Sequence, residues 1–202
     1  MKNPWILSDW LRNHFRKFID GVADIFIKLK ISANWLTLMG AAGHIIAAIF
    51  LAYGQYFGSG ITLLIFAPLD AFDGAVARKM KITSKYGAFL DSVTDRYSEA
   101  ILMCGFLMNA LTTQSQWGII LAFLAMCGSF LVPYTRARAE SLGFSARNGI
   151  FSRVERYLII IPCLIFGQAL ICLLIVAVLS NFTAFQRIWS VYSQSIYSKN
   201  EN

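Results

Sequence analysis

The sequence predicts an all-α integral membrane protein, with six transmembrane helices behind an N-terminal amphipathic helix that lies in the membrane interface. Three observations predict it. The 202-residue chain is 57% hydrophobic and 14% charged, with a mean hydropathy of +0.57, whereas soluble domains carry about 25% charged residues. Its apolar residues fall into runs of membrane length, about 20 residues each. Its 18 basic residues gather on one side of the topology those runs define, as the charge bias of membrane proteins requires.

Taken in order, residues 4–30 set Trp5, Ile6, Trp10, Phe15, Phe18 and Ile19 against Asp9, Arg12, Arg16 and Lys17, the pattern of an interfacial helix. No apolar core ending in small residues marks the start as a cleavable signal peptide. The first span runs from about Asn34 to Tyr53 and the second from Ile61 to Lys79. The third runs from Tyr86 to Ala110 and the fourth from Trp117 to Glu140. The last apolar stretch, Tyr157 to Phe185, is too long for one span. Gly167-Gln168 marks a fold-back, giving a fifth helix from about Ser152 and a sixth ending near Arg187. The domain division that follows is a juxtamembrane segment (1–33), a six-helix domain (34–190) and a C-terminal tail (191–202).

Charge supports the count independently. The segments Gly54–Gly60 and Leu111–Gln116 and the turn at Gly167 contain no Lys, Arg, Asp or Glu. The basic residues lie on the opposite side or within about two turns of it, which predicts a cytoplasmic face carrying both termini. The net charge of +7 suits anionic headgroups or phosphorylated substrates. Nucleic acid is not an expected partner, because the basic residues alternate with membrane-length apolar runs. Cys104, Cys127, Cys163 and Cys172 all sit in apolar stretches and read as small buried hydrophobes, without a disulfide or metal role.

The informative segment is 70–95. Asp70 and Asp73 are three residues apart, so on a helix they point about 60° apart. Asp91 and Asp95 are four apart and share a face, and Pro68 offers a bend just before the first pair. Two helices thus each present two carboxylates near one membrane surface. Ionised carboxylates beside apolar runs need compensation. Oxygen-only donors select hard divalent cations, Mg²⁺ or Mn²⁺, and two of them about 4 Å apart suit in-line attack at phosphorus. The competing reading is a set of solvated carboxylates, or pairs with Arg78 and Arg96. Gly74, Ala77 and Gly87 are small enough to admit another helix, or a bulky nucleotide, close to the backbone. Arg78 suits a bidentate phosphate contact, or snorkels as a surface cation.

These residues resemble the signature of the CDP-alcohol phosphotransferase family. The pattern is Asp-x-x-Asp-Gly-x-x-Ala-Arg, eight residues, Gly, three residues, Asp, three residues, Asp. Asp70, Asp73, Gly74, Ala77, Arg78, Gly87, Asp91 and Asp95 fill every fixed position, and six helices are that family's architecture. The resemblance implies that Asp70, Asp73 and Asp91 hold two divalent ions. It implies that Asp95 both touches an ion and acts as the base toward the acceptor hydroxyl. It also implies a CDP-lipid site. Asn34-Trp35-Leu36-Thr37, followed by Gly40, is similar to the family's nucleotide segment, and Gly74, Arg78 and Ser84 match nucleotide and phosphate contacts. Without that resemblance, Thr37 reads equally as a hydroxyl bonded to its own helix. A homodimer is implied on the same ground.

The second half bears on the acceptor. Tyr134-Thr135-Arg136-Ala137-Arg138-Ala139-Glu140 ends the fourth helix, Ser152-Arg153-Val154-Glu155-Arg156 opens the fifth, and Gln186-Arg187 ends the sixth. Guanidinium groups at three helix ends suit a phosphate monoester, although the positive-inside bias alone also places arginines there. The arrangement resembles the branch of the family that makes phosphatidylinositol phosphate, or its archaeal-lipid counterpart, from inositol phosphate. By that match Arg136, Arg156 and Arg187 hold the acceptor phosphate, with Arg138 and Arg153 in support. Arg136 stands where that branch often has lysine, and Ser152 stands where it has glutamate.

The expected reaction moves a phosphatidyl group from CDP-diacylglycerol or a related CDP-lipid to a phosphorylated alcohol, inositol phosphate first, and releases CMP. One alternative keeps the chemistry and takes glycerol 3-phosphate, as a phosphatidylglycerophosphate synthase does. A second is a divalent-ion transporter or channel lined by the aspartates, against which the uncharged opposite loops offer no polar exit. A third is a non-catalytic lipid-binding scaffold, which a complete set of acid ligands disfavours. The lone His44 reads as a packed or hydrogen-bonded residue, and Gly40 and Gly43 as helix-contact residues.

Overall fold

Serine caps set the helix starts. In a computed structural model that describes residues 16–146 and 148–200, Ser32, Ser84 and Ser115 each precede a helix. Each accepts a hydrogen bond from the backbone N–H three residues on, at Trp35, Gly87 and Gly118, satisfying a donor that the helix leaves open. Among the described residues all regular structure is helical. In chain order it comprises α1 (Arg16–Lys28), α2 (Ala33–Ala52), α3 (Tyr56–Phe66), α4 (Leu69–Lys79), α5 (Lys85–Thr112), α6 (Gln116–Ser141), α7 (Arg153–Ile165) and α8 (Ala169–Asn200). Gly54 and Gly167 take positive φ just past α2 and α7, the left-handed turn glycine makes without strain.

Among the described residues, four segments are long and apolar enough to cross a membrane: Ala33–Ala52, Tyr56–Lys79, Gln116–Ser141 and Ala169–Ile196. The second joins α3 and α4 across the break at Pro68, which caps α4. The third and fifth expected spans do not meet that standard, for different reasons. α5 has 28 residues, but Asp91, Asp95, Arg96 and Glu99 fall between its seventh and fifteenth residues. α7 has 13 residues, because Ser152 starts it and Phe166 ends it.

The outer surface suits lipid. Ile45, Ile49, Phe57, Ile65, Phe123, Val178 and Phe182 are all exposed, an apolar belt that a water-soluble chain rarely shows. Inside, Leu51, Leu63, Leu102, Phe106, Leu164 and Val176 form one core, while Leu36, Leu69 and Val76 form a second with Ala23 of α1. α6 lies along α8, α2 packs on α3 and α5, and α1 rests on α4. Lys79 fastens α1 there through Asp24 at 2.6 Å and the carbonyl of Asp20 at 2.6 Å.

In lipid, apolar area alone gives helices little reason to associate, so close backbone approach matters more. It occurs at Gly105, where a Cβ would lie 2.7 Å from the Ala48 carbonyl oxygen, and at Gly128, 2.9 Å from the Asn181 nitrogen. Gly43 similarly admits the Phe66 ring. Among the described residues, a Cβ at Gly74 or Gly87 would meet only Arg78 or Ser84, respectively, of its own segment. Helix packing therefore does not explain those two glycines.

The last helix is longer than expected. α8 continues through residues assigned to a tail, to Asn200. Gln194 anchors this extension: its side chain accepts from the Ser145 N–H at 3.0 Å and donates to the Ser145 carbonyl at 2.6 Å. The first part of the expected interfacial helix, residues 4–15, lies outside the described residues.

Candidate active site

The break at Pro68 starts α4 so that Asp70 falls in its first turn, and Ser84 starts α5 so that Asp91 and Asp95 fall in its second and third turns. The two helices bring carboxylate oxygens of Asp70, Asp91 and Asp95 within 4.8 Å of one another. Asp73 is turned toward α2, where it accepts a 2.5 Å hydrogen bond from Thr37. Thr37 also lies 3.2 Å from its own helix carbonyl at Ala33, the bond expected of it apart from the family resemblance, whereas its contact with Asp73 was not expected.

The cluster has a cation of its own. Arg153, at the start of α7, places Nη1 at 2.7 Å from Asp70 and 2.5 Å from Asp95. Arg96 reaches Asp95 only at 3.5 Å, and Arg78 makes no ion pair among the described residues. In the competing reading the aspartates' partners were Arg78 and Arg96. The residue found there is Arg153, which sequence reasoning had assigned to the acceptor phosphate. This contact tests the site's fit for a metal: converging carboxylates in a partly buried cleft draw in positive charge. Their donors are all oxygen, which suits Mg²⁺ or Mn²⁺.

Behind the aspartates lies a polar layer. Arg156 is buried and donates to Glu99 at 2.6 Å, while Arg153 Nε lies 3.7 Å from the same oxygen. The Arg153 guanidinium sits 5.6 Å from the centre of the Tyr157 ring. His44 Nδ1 meets the Gly40 carbonyl at 2.7 Å, and Nε2 meets the Tyr157 hydroxyl at 2.8 Å. A carbonyl only accepts, so Nδ1 carries the proton and Nε2 accepts from Tyr157. His44 is thus a hydrogen-bonded residue, as expected. Glu99 and Tyr157 were not anticipated. The signal for Glu99 was present in its spacing, one turn beyond Asp95 and two beyond Asp91 on one face.

The remaining candidates divide. Asn34, Trp35, Arg78 and Ser84 are exposed around the aspartates' end of the helices, open to a ligand. Leu36 is fully buried with Ala33, Leu69 and Val76. It is a core residue rather than a contact, since its face of α2 turns toward α4. Arg136 pairs with Glu140 at 3.0 Å, and Arg138 is exposed without an ion pair among the described residues. Arg187 is buried, donating to the carbonyls of Val132 and Asn148, and lies within electrostatic reach of Arg136 and Arg156. Ser152, where a glutamate was expected, caps α7: its N–H donates to Glu155 at 2.9 Å, half of a capping box.

Comparison with known proteins places this geometry. The model of the CDP-alcohol phosphatidyltransferase family matches residues 30–192. The chain belongs to the CDP-alcohol phosphatidyltransferase family. It is therefore a membrane transferase of substituted phosphate groups. This phosphatidyltransferase is 34% identical over 180 residues to archaetidylinositol phosphate synthase of Pyrococcus horikoshii, covering 89% of this chain and 93% of that one. It is 33% identical over 205 residues to phosphatidylinositol phosphate synthase of Streptomyces avermitilis, covering 94% and 84%. Its fold is that of Mycobacterium tuberculosis phosphatidylinositol phosphate synthase, solved with CDP-DAG bound, with a TM-score of 0.78, 24% identity, and 87% and 94% of the two chains covered.

Proposed function

We propose that this phosphatidyltransferase moves the phosphatidyl group of CDP-diacylglycerol, or a related CDP-lipid, onto the hydroxyl of inositol phosphate and releases CMP. The observation that carries the reading is the convergence of Asp70, Asp91 and Asp95 within 4.8 Å, with buried Arg156 one layer behind. Relatives bearing the inositol phosphate synthase name support the acceptor.

Asp70, Asp73, Asp91 and Asp95 would hold two divalent ions, Mg²⁺ or Mn²⁺. Bound there, such ions supply positive charge to the pyrophosphate and the departing CMP. Asp95 takes the proton of the acceptor hydroxyl. The resulting alkoxide forms the new P–O bond at the lipid-side phosphorus as the bond to CMP breaks. Thr37 holds Asp73 in orientation, and Arg156 and Arg187 provide the positive surroundings an acceptor phosphate needs. The reading includes six spans, with α5 and short α7 crossing as polar or partial elements. It places both termini and the aspartates at the cytoplasmic face of the cell membrane, α1 in the interface, and a homodimer as the assembly.

The deciding experiment supplies the purified chain with CDP-diacylglycerol, Mg²⁺ and either inositol phosphate or glycerol 3-phosphate, and follows labelled lipid and CMP. Product with inositol phosphate is expected. Product with glycerol 3-phosphate alone would replace the acceptor. Asp95→Asn is expected to lower CMP release by at least about a hundredfold while CDP-lipid binding persists.

A further inference from the structure

Glu99 is the acidic residue of α5 that the transfer chemistry does not use. It is 4% exposed, one helical turn beyond Asp95. Its Oε1 accepts from Arg156 Nη2 at 2.6 Å and lies 3.7 Å from Arg153 Nε. The Arg156 side chain is itself only 3% exposed. Yet Glu99 Oε2, Arg156 Nη1 and Arg153 Nε are buried without a hydrogen-bond partner among the described residues.

A buried ion pair kept only for stability should spend its donors, because each unspent buried N–H loses its hydration without recompense. This group does not spend them. Two guanidinium groups share one carboxylate, and both retain unused N–H groups in the layer directly behind the aspartates. Unspent donors of this kind suit an acceptor that arrives with a ligand, and the planar guanidinium matches phosphate oxygens. The charge of Arg153 is engaged by Asp70 and Asp95. It becomes available to a ligand only when those carboxylates find another cation.

Resting on the reading above that the acceptor carries a phosphate, we propose that Glu99 is a positioning residue for that phosphate. It holds the guanidinium groups of Arg156 and Arg153 side by side next to Asp95. It touches neither substrate and acts through the two arginines.

The test compares the full-length protein with its Glu99→Gln variant. CMP release is measured with each substrate varied in turn at saturating Mg²⁺, and thermal stabilisation by inositol phosphate is measured separately with Mg²⁺ and no CDP-lipid. In Glu99→Gln the acceptor KM is expected to rise about tenfold or more, with the KM for CDP-lipid within about twofold of wild type. The stabilisation by inositol phosphate is expected to disappear. Glu99→Asp keeps the charge on a shorter arm and should recover part of both. If Glu99→Gln fails to fold, Glu99→Asp carries the same comparison, with a smaller but still selective rise in acceptor KM. An unchanged acceptor KM, or equal rises in both KM values as a purely structural pair would give, overturns the role of Glu99 alone. A wild-type protein that neither uses nor is stabilised by inositol phosphate overturns the acceptor reading and this proposal together.

Discussion

Arg153 Nη1 lies 2.5 Å from Oδ1 of Asp95, so a side chain from α7 neutralises the α5 carboxylate that we propose as the proton acceptor. The same nitrogen reaches Asp70 of α4 at 2.7 Å. One guanidinium therefore ties three helices together at the site where the aspartates converge.

Removing that tie should expose the repulsion it masks. In EDTA, Arg153→Gln is expected to lower stability by about 1–3 kcal/mol, less than a fully buried pair would cost, because Asp70 and Arg153 keep 36% and 18% exposure. Mg²⁺ should then stabilise the variant more than it stabilises wild type, since cations relieve the carboxylates. Thermal unfolding in detergent with EDTA and with Mg²⁺ measures both. An equal Mg²⁺ response in the two proteins would show that Arg153 and the cation do not share the cluster.

Thr37→Val tests the support of Asp73. The 2.5 Å hydrogen bond from Thr37 is the contact that orients this carboxylate toward α2. A residue that orients a ligand typically contributes about 10- to 100-fold in metal affinity. The Mg²⁺ concentration for half-maximal activity is expected to rise by roughly that factor, with the overall fold kept, as checked by circular dichroism. Thr37→Ser, which retains the donor, should restore most of the affinity.

Gly105→Leu tests helix contact. A Cβ at Gly105 would already lie 2.7 Å and 2.9 Å from backbone atoms of Ala48, and backbone cannot step aside as a side-chain tip can. Overpacking of this kind costs about 1–3 kcal/mol. The variant should unfold at lower temperature. Gly21→Ala in exposed α1, where nothing among the described residues lies within 4 Å of the added carbon, is expected to be neutral or stabilising by up to about 1 kcal/mol.

The sequence alone determined the class of this protein and singled out the aspartates of its proposed reacting centre. Hydropathy and charge bias describe how each segment meets lipid or water, and that is a local property. The helical nature, the apolar belts and the break at Pro68 could therefore be read residue by residue. The aspartates were legible because their spacing of three and four fixes a helical face. The 2.5 Å bond from Thr37 to Asp73 joins two segments that sequence analysis had singled out separately.

Tertiary structure decided which charges meet. Apart from the family resemblance, Arg153, Arg156, Arg136 and Arg187 are equivalent in a sequence reading, since each is a guanidinium at a helix end. Only the packing of α7 against its neighbours sends Arg153 to Asp70 and Asp95 and pairs Arg156 with Glu99, and the packing of α8 along α6 commits Arg187 to the carbonyls of Val132 and Asn148. Leu36 went to the core for the same kind of reason, because its face of α2 is covered by α4. The length of α8 was also a tertiary matter: Gln194 finds Ser145 across 49 residues, a contact that no local pattern encodes. Coulomb and hydrogen-bond energies depend on distances between helices, and those distances exist only once the helices have packed.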